Sequence, residues 1–167
     1  MNLPVFNTDL LLDEKGRVMV PRAVRDVMEA RGVSKLVAFA NGGPRGGLSF
    51  CRIDDYEALA ARHQGTDPLS PQARLFALAV ASTAQTVSID SVGRMLIPQE
   101  LRALLGLQKE LYLFTAGAWF EIWDKARWME QAFPKAAELW DQLYGFGALG
   151  VPAATPSPLS PPRPGSP

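Results

Sequence analysis

Two stretches of the chain, DEKGRVMVPRAVR at residues 13–25 and DSVGRMLIPQELR at residues 90–102, decide the fold, because the second repeats the first 77 positions later. Apolar residues recur at four of the repeated positions, and five further positions are identical. The identical pairs are Asp13/Asp90, Gly16/Gly93, Arg17/Arg94, Pro21/Pro98 and Arg25/Arg102. A repeat of this kind predicts two copies of one small structural unit.

Each copy predicts a turn, a short strand and a helix, in that order. In the first copy, Asp13 can accept a hydrogen bond from the backbone two residues on, and Gly16 permits a positive φ. The apolar residues 18–20 are typical of a buried strand. Pro21 then stands in the first turn of a helix, where its missing N–H has no consequence. The predicted turn-forming and helix-starting residues of the two copies are Asp13, Gly16, Pro21, Asp90, Gly93 and Pro98.

The segments around each motif predict a β-α-β unit that is completed by a hairpin and a further helix. Strands are expected at 7–12 and 86–89, and hairpins at 35–40 with 47–51 and at 110–115 with 119–123. The predicted organisation is a first unit at 5–63, a linker and connecting helix at 64–84, a second unit with a C-terminal helix at 85–145, and a proline-rich disordered tail at 146–167.

Five expectations concern the helices. Asp54 and Asp124 would cap the helix that follows each hairpin, and Tyr56 and Trp128 would occupy matching core-facing positions there. The alanine-rich helix over 72–84 is apolar on more than one side and would be buried. A helical stretch would run to about residue 144, with a break at the proline at position 134. Its apolar face, which includes Met129, Phe133 and Trp140, would lie in the core or at a subunit interface.

The composition excludes several classes of function. One cysteine and one histidine cannot form a disulfide or a structural zinc site. Cys51 lies among apolar residues, which favours a core position over a nucleophile, and His63 has no evident partner. We therefore predict no enzyme, no metal and no cofactor. The N-terminus lacks the basic region of a signal peptide, and no stretch approaches the ~18 apolar residues of a membrane span. A cytoplasmic location is therefore expected.

The charge is balanced globally but not locally. The chain has 17 basic and 17 acidic residues, so any binding of nucleic acid depends on where the charges lie. Residues 15–35 contain six basic and two acidic side chains, a net charge of +4, whereas the corresponding residues 92–112 contain three and two, a net charge of +1. The first copy is therefore expected to make most of the phosphate contacts.

The doubled pattern D-x-x-G-R-x-x-x-P-x-x-x-R resembles the signature of the AbrB-like swapped-hairpin DNA-binding superfamily. Two copies in one chain, with FEIWDKARW at 120–128 after the second, resemble the MraZ family in particular, over roughly residues 5–145. The resemblance implies an α+β fold: two tandem, pseudo-equivalent β-α-β units would form a small β-barrel-like core with helices packed outside. It also implies ring-shaped homo-oligomers that bind tandem G-rich DNA repeats upstream of a division and cell-wall gene cluster. Members usually act as repressors at the nucleoid and are reported to restrain a ribosomal-RNA methyltransferase.

The same resemblance places the DNA-facing positions of the superfamily on basic residues of both copies. With the other basic residue of the first helix, the expected DNA-binding residues are Lys15, Arg17, Arg22, Arg25, Arg94 and Arg102. The second turn departs from the family, because Val92 stands where a polar or basic residue is more usual before the glycine.

The sequence also allows alternative interpretations. Arg17 and Arg94 could instead pair with the aspartates of their own turns, and Arg25 and Arg102 could be solvated helix residues. An antitoxin-type AbrB-like regulator and a protein-interaction regulator of the methyltransferase are the alternative functions.

Overall fold

The computed structural model describes residues 3–41, 46–65 and 71–144. In chain order the strands and helices are β1 (Asn7–Leu11), β2 (Arg17–Met19), α1 (Arg22–Ala30), β3 (Lys35–Asn41), β4 (Gly47–Cys51), α2 (Ile53–Gly65), α3 (Pro71–Thr83), β5 (Gln85–Ser88), β6 (Arg94–Leu96), α4 (Gln99–Leu105), β7 (Glu110–Ala116), β8 (Trp119–Asp124), α5 (Lys125–Arg127) and α6 (Phe133–Tyr144), with a π-helical turn over Trp128–Ala132 between the last two. The fold is therefore of the α+β class, as predicted. The expected tail at 146–167 lies outside the described residues.

The strands of the two repeats pair with each other, all antiparallel. The order of the six-stranded sheet is β1-β7-β8-β4-β3-β5, and β2 pairs with β6 in a separate two-stranded ribbon. The first strand of each repeat thus lies beside the third strand of the other, as β1 does on β7 and β5 on β3. The hairpins meet at the centre, where β4 pairs with β8. This arrangement relates the two repeats by an approximate two-fold axis.

The main core lies on one face of the sheet, between the sheet, the ribbon and the helices α1 and α4. Both repeats contribute the same kinds of side chain to it. In the ribbon, Val18 and Met95 are directly paired and fully buried. On the central strands, the rings of Phe50 and Phe120 are also paired in register and stack with their centroids 4.7 Å apart. Because neither repeat covers its own apolar face alone, the two form a single core.

The opposite face of the sheet holds a buried carboxylate at its centre. Ser49 and Glu121 are paired on β4 and β8, and both are buried. Glu121 accepts hydrogen bonds from Ser49 Oγ at 3.1 Å, from Asn41 Nδ2 at 3.0 Å and from Trp123 Nε1 at 2.9 Å. Three donors can satisfy a buried carboxylate. This group therefore fixes the junction of the two hairpins.

Equivalent helices cover this face on either side of the junction. Tyr56 on α2 contacts Phe39 with ring centroids 5.5 Å apart, and Trp128 contacts Phe114 with centroids 4.7 Å apart. The predicted match between Tyr56 and Trp128 is confirmed. Asp124 caps α5, because its side chain accepts a hydrogen bond from the backbone N–H of Arg127 at 3.1 Å.

Some of the helix predictions are wrong. Asp54 is not the cap of α2, because it lies inside the first turn and forms an ion pair with Arg52. Helix α3 is not buried: Leu75 and Leu78 are exposed, and Val80 is among the residues that pack against the sheet.

The C-terminal helical segment also differs from the prediction. It continues past Pro134, and the expected break is replaced by the π-helical turn just before α6. The wider π-helical turn just before Pro134 accommodates this residue, which has no N–H to donate. Met129 and Phe133 are about half exposed, so they do not belong to the core of a single chain. The side chain of Trp140 lies outside the described residues.

No helix in the described part of the chain is long and apolar enough to cross a membrane.

Candidate nucleic-acid interface

The first turn is held by Asp13. The backbone N–H of Gly16 donates to the carbonyl of Asp13 at 2.9 Å, which closes the turn. One carboxylate oxygen of Asp13 accepts from the backbone N–H groups of Lys15 and Arg17, both at 2.9 Å. The other oxygen accepts from Nε of Arg17 at 2.9 Å and lies 2.8 Å from its Nη2. Asp13 therefore orders the backbone of the turn and fixes the guanidinium of Arg17.

The second turn has the same geometry. Asp90 accepts from the backbone N–H of Val92 at 3.0 Å and of Arg94 at 2.8 Å, and from Arg94 Nε at 2.9 Å. Hydrogen bonds from Arg17, chiefly from its side chain, lower the pKa of the Asp13 carboxyl from its ordinary value. Those from Arg94, chiefly from its backbone, do the same for the pKa of Asp90. The ion pairs that were the alternative interpretation of Arg17 and Arg94 are thus present in both repeats.

Each turn is also hydrogen-bonded to the other repeat. The backbone N–H of Val20 donates to the carbonyl of Gly93 at 3.0 Å, and that of Ile97 donates to the carbonyl of Gly16 at 2.9 Å. The two turns therefore lie at the two ends of the ribbon formed by β2 and β6, joined by reciprocal backbone hydrogen bonds. This arrangement brings the basic residues of both turns to one surface, to which we refer as the turn-and-ribbon surface.

Arg25 and Arg102 have a reciprocal position that the sequence did not reveal. Arg25 Nε donates to the carbonyl of Val20 at 3.0 Å, and its side chain lies against Gly93, the glycine of the other turn. Arg102 Nε donates to the carbonyl of Ile97 at 3.0 Å and lies against Gly16 in the same way. Both arginines are half-buried. The only sequence signal was that arginine and glycine are identical in both copies.

The glycines of the turns meet two separate requirements. Gly16 and Gly93 have φ values of +78° and +92°, a region that other L-residues adopt only with strain. A Cβ on Gly16 would lie 2.5 Å from Cζ of Arg102, and one on Gly93 would lie 2.7 Å from Nη1 of Arg25. The repeat therefore preserves a glycine for its backbone conformation and for the close approach of an arginine.

The remaining predicted basic residues are more accessible. Lys15 is exposed at the tip of the first turn. Arg22, at the start of α1, is also exposed and lies 3.5 Å from Asp26 in an ion pair. Pro21 and Pro98 stand at the N-cap positions of α1 and α4, one residue before the predicted first turn. The helices thus begin immediately after the ribbon, and Arg22 lies beside it.

The described residues offer little for catalysis or metal binding. Within 3–41, 46–65 and 71–144, no group of three or more His, Cys, Asp or Glu side chains could hold a metal ion. Cys51 lines a cavity of about 110 Å³ between the sheet and the helices α2 and α3. Burial, with a smaller contribution from Asp55, raises the pKa of the Cys51 thiol to about 12. This thiol is therefore protonated at neutral pH and is not a nucleophile.

Comparison with known proteins gives one consistent result. The MraZ family model, described as an antitoxin-like protein, matches residues 80–141, which include the second motif. A transcriptional regulator MraZ from Nitrosospira multiformis is 32% identical over 142 residues, which cover 83% of this chain and 95% of the relative. The proteins of the same name from Nitrosomonas europaea and Thermomicrobium roseum are 36% and 33% identical, over 73% and 76% of this chain and 81% and 85% of their own lengths.

Proposed function

Because the chain belongs to the MraZ family of transcriptional regulators, we propose that it is a sequence-specific regulator that binds double-stranded DNA through its turn-and-ribbon surface. The membership confirms the predicted family, and the relatives carry the name of a non-enzymatic function, as predicted. The observation that supports this surface is the reciprocal hydrogen bonding of the two turns, which joins the turn of Lys15 and Arg17 to that of Arg94 through the ribbon.

The turns supply the phosphate contacts in this proposal. The Asp13 carboxylate engages Nε and Nη2 of Arg17, and a guanidinium has further N–H groups with which to bind phosphate. An arginine held by a carboxylate has a defined orientation and loses less conformational freedom when DNA binds. We assign the phosphate contacts to Lys15, Arg17, Arg22 and Arg94. Arg25 and Arg102, which were also expected to bind DNA, act by positioning the turns.

The cross-pairing of strands between the repeats supports the proposed swapped-hairpin core. The first repeat, over 5–63, and the second, over 85–145, would be pseudo-equivalent halves of one barrel-like body, with 64–84 connecting them.

The two turns do not contribute equally to DNA binding in this proposal. The first has Lys15 and a local net charge of +4, whereas the second has Val92 at the corresponding position and a net charge of +1. The electrostatic attraction of DNA depends on the number of phosphates that are neutralised. Arg17→Ala should therefore weaken binding more than Arg94→Ala in fluorescence anisotropy titrations of a labelled duplex. A larger loss for Arg94→Ala would contradict the asymmetry.

Self-association would supply the DNA affinity that a single chain lacks. A patch of this charge gives binding in the range of about 10⁻⁴–10⁻⁶ M that is typical of non-specific contacts. A ring of copies on tandem G-rich repeats makes later contacts intramolecular, which can raise avidity by roughly 10²–10⁴. We place such repeats upstream of a division and cell-wall gene cluster, with repression as the outcome, in the cytoplasm at the nucleoid. Calibrated gel filtration should show an oligomer, and a strict monomer would contradict this part.

A second candidate function is supported by exposed apolar side chains on the helices. Leu75 and Leu78 on α3 and Leu139 on α6 are more than half exposed, and apolar surface of this kind can bind another protein. The partner would be the ribosomal-RNA methyltransferase suggested by the family resemblance. A variant with Arg17→Ala and Arg94→Ala should still retain this enzyme in a pull-down if the protein contact is independent of DNA.

A further inference from the structure

The outer face of the ribbon combines two arginines with two exposed apolar side chains. In the register of β2 and β6, Arg17 lies opposite Leu96, and Met19 lies opposite Arg94. Met19 and Leu96 are 49% and 55% exposed, whereas Val18 and Met95 between them are buried in the core. The outer face is therefore chequered, with the arginines on one diagonal and the apolar side chains on the other.

The positions of Met19 and Leu96 are equivalent in the two repeats. They stand at the same place in the repeated motif, 77 residues apart, and the approximate two-fold axis of the ribbon exchanges them. Single exposed apolar residues are common on protein surfaces. Here, however, two of them flank the axis of the surface that carries the arginines, so one ligand can contact both at once.

The chemistry of this face fits the major groove of DNA. A two-stranded ribbon can enter that groove, where thymine presents a C5-methyl group that apolar side chains contact. Arg17 and Arg94 border the apolar pair, and the guanidinium N–H groups that do not bind Asp13 and Asp90 can donate to the phosphates on either side of the groove. Residues 15–25 contain four basic side chains and no acidic one. This charge favours DNA over a second copy of the chain.

From this juxtaposition we infer that Met19 and Leu96 contact thymine methyl groups in the major groove and contribute to sequence discrimination. The inference rests on the proposed function and extends it from phosphate contacts to base contacts. Diagonal neighbours on an antiparallel ribbon are roughly 7–8 Å apart, and successive base pairs are separated by about 3.4 Å. The two methyl groups would therefore lie about two base-pair steps apart.

The test removes the methyl groups without other changes. A duplex preferred by the wild-type protein is selected from a randomised library, and each thymine is replaced in turn by deoxyuridine, which lacks only the C5-methyl group. Fluorescence anisotropy should show a roughly fourfold loss of affinity at each contacted thymine, the loss expected for one methylene-sized apolar contact. A variant with Met19→Ala and Leu96→Ala should bind the thymine and deoxyuridine duplexes equally.

Ile53→Ala provides the matched control. Ile53 is 54% exposed but lies on α2, outside the ribbon, so this variant should keep the sensitivity to deoxyuridine. Thermal melting checks that both variants are folded, and the wild-type measurement does not depend on either of them.

The outcomes separate the inference from the proposed function. A wild-type protein that is selective but insensitive to every deoxyuridine would overturn the inference and leave the proposed function intact. The same holds if the double variant stays sensitive, or if it changes its oligomeric state rather than its DNA preference. A wild-type protein that selects no duplex at all would overturn both.

Discussion

Replacing Gly16 by alanine tests the reciprocal packing of the two turns. The substitution would force a residue with a Cβ into a backbone conformation with φ of +78°, which costs about 1–2 kcal/mol. The new Cβ would also lie 2.5 Å from Cζ of Arg102, so the arginine must move away. Arg102 Nε would then lose its 3.0 Å hydrogen bond to the carbonyl of Ile97. Since Arg102 is only half-buried, we take about 1–2 kcal/mol for the loss of this hydrogen bond, between the ranges for neutral and for charged hydrogen bonds.

The expected loss in the free energy of unfolding is therefore about 2–4 kcal/mol for Gly16→Ala. Gly32→Ala is the matched control, because Gly32 has a φ of +64° but nothing within 4 Å of its Cβ position. It should lose only the strain energy of about 1–2 kcal/mol. Urea denaturation measures both values, at one protein concentration because self-association shifts apparent stability.

A double-mutant cycle isolates the contact with the arginine. Once Arg102→Ala has removed the side chain, Gly16→Ala should cost only its backbone strain, so the two substitutions should be non-additive by about 1–2 kcal/mol. Additive losses in the free energy of unfolding would show that the contact between residue 16 and Arg102 is not the cause of the larger loss. A loss for Gly16→Ala no larger than that for Gly32→Ala would also contradict this role of the contact.

Three further predictions concern ionisable groups. The pKa of Asp13 is lowered from 3.8 in the folded protein, so its contribution to stability is present above pH 3.8 and is lost as the pH falls through the lowered value. Asp13→Asn should therefore weaken the fall of the urea midpoint as the pH drops below 3.8, and an unchanged pH profile would contradict this. The thiol of Cys51, with its pKa of about 12, is ionised in roughly one molecule in ten thousand at pH 8. Mass spectrometry should therefore find labelling of Cys51 by iodoacetamide only after unfolding. Rapid labelling of the native protein would contradict the burial of this thiol. Glu121→Leu leaves three hydrogen-bond donors without their acceptor and should destabilise the fold by at least about 2 kcal/mol. In Glu121→Gln the side chain can still accept from Trp123, so this variant should be destabilised less. The opposite order in urea denaturation would contradict the role of Glu121 at the junction of the hairpins.

Much of the fold could be predicted because its local signals are duplicated. Turns, strands and helices depend on residues that are close together in sequence. Because the motif is repeated, the residues that indicate each of these elements occur twice in the chain. The predicted hairpin strands agree with the observed β3, β4, β7 and β8 to within one residue at each end. The cap at Asp124 was predicted because a helix follows the residue, and the neighbouring Lys125 pairs with Asp9 instead. At Asp54 the same reasoning failed, because the neighbouring Arg52 engages the carboxylate.

The contacts between the repeats could not be predicted from local patterns. A strand signal does not specify its partner, and β1 pairs with β7, about a hundred residues away in the chain. The contact of Arg25 with Gly93 depends on the same long-range pairing. Apolar periodicity also overestimated the burial of α3, because a helix on the outside of a sheet buries only the side that faces the sheet.

The sequence predicted which residues belong to the candidate site better than it predicted how these residues are arranged. The sequence allowed two interpretations of Arg17, a DNA contact and an ion pair with Asp13. The structure shows the ion pair and leaves the side chain of Arg17 partly exposed. The chequered face of the ribbon was not foreseen. The triplets 18–20 and 95–97 were interpreted as wholly buried, but alternation along a strand turns Met19 and Leu96 to the outside.

The central claim is that the turn-and-ribbon surface binds DNA with sequence preference. The most direct measurement compares, by fluorescence anisotropy, the affinity of the full chain for the duplex upstream of its own gene and for a scrambled duplex of the same composition. We expect a preference of at least about tenfold for the upstream duplex, a threshold below the roughly 10³–10⁷-fold range that is usual for specific regulators. The variant with Arg17→Ala and Arg94→Ala should lose affinity for both duplexes. Equal affinity of the wild-type protein for the two duplexes, or unchanged binding by the variant, would contradict the account.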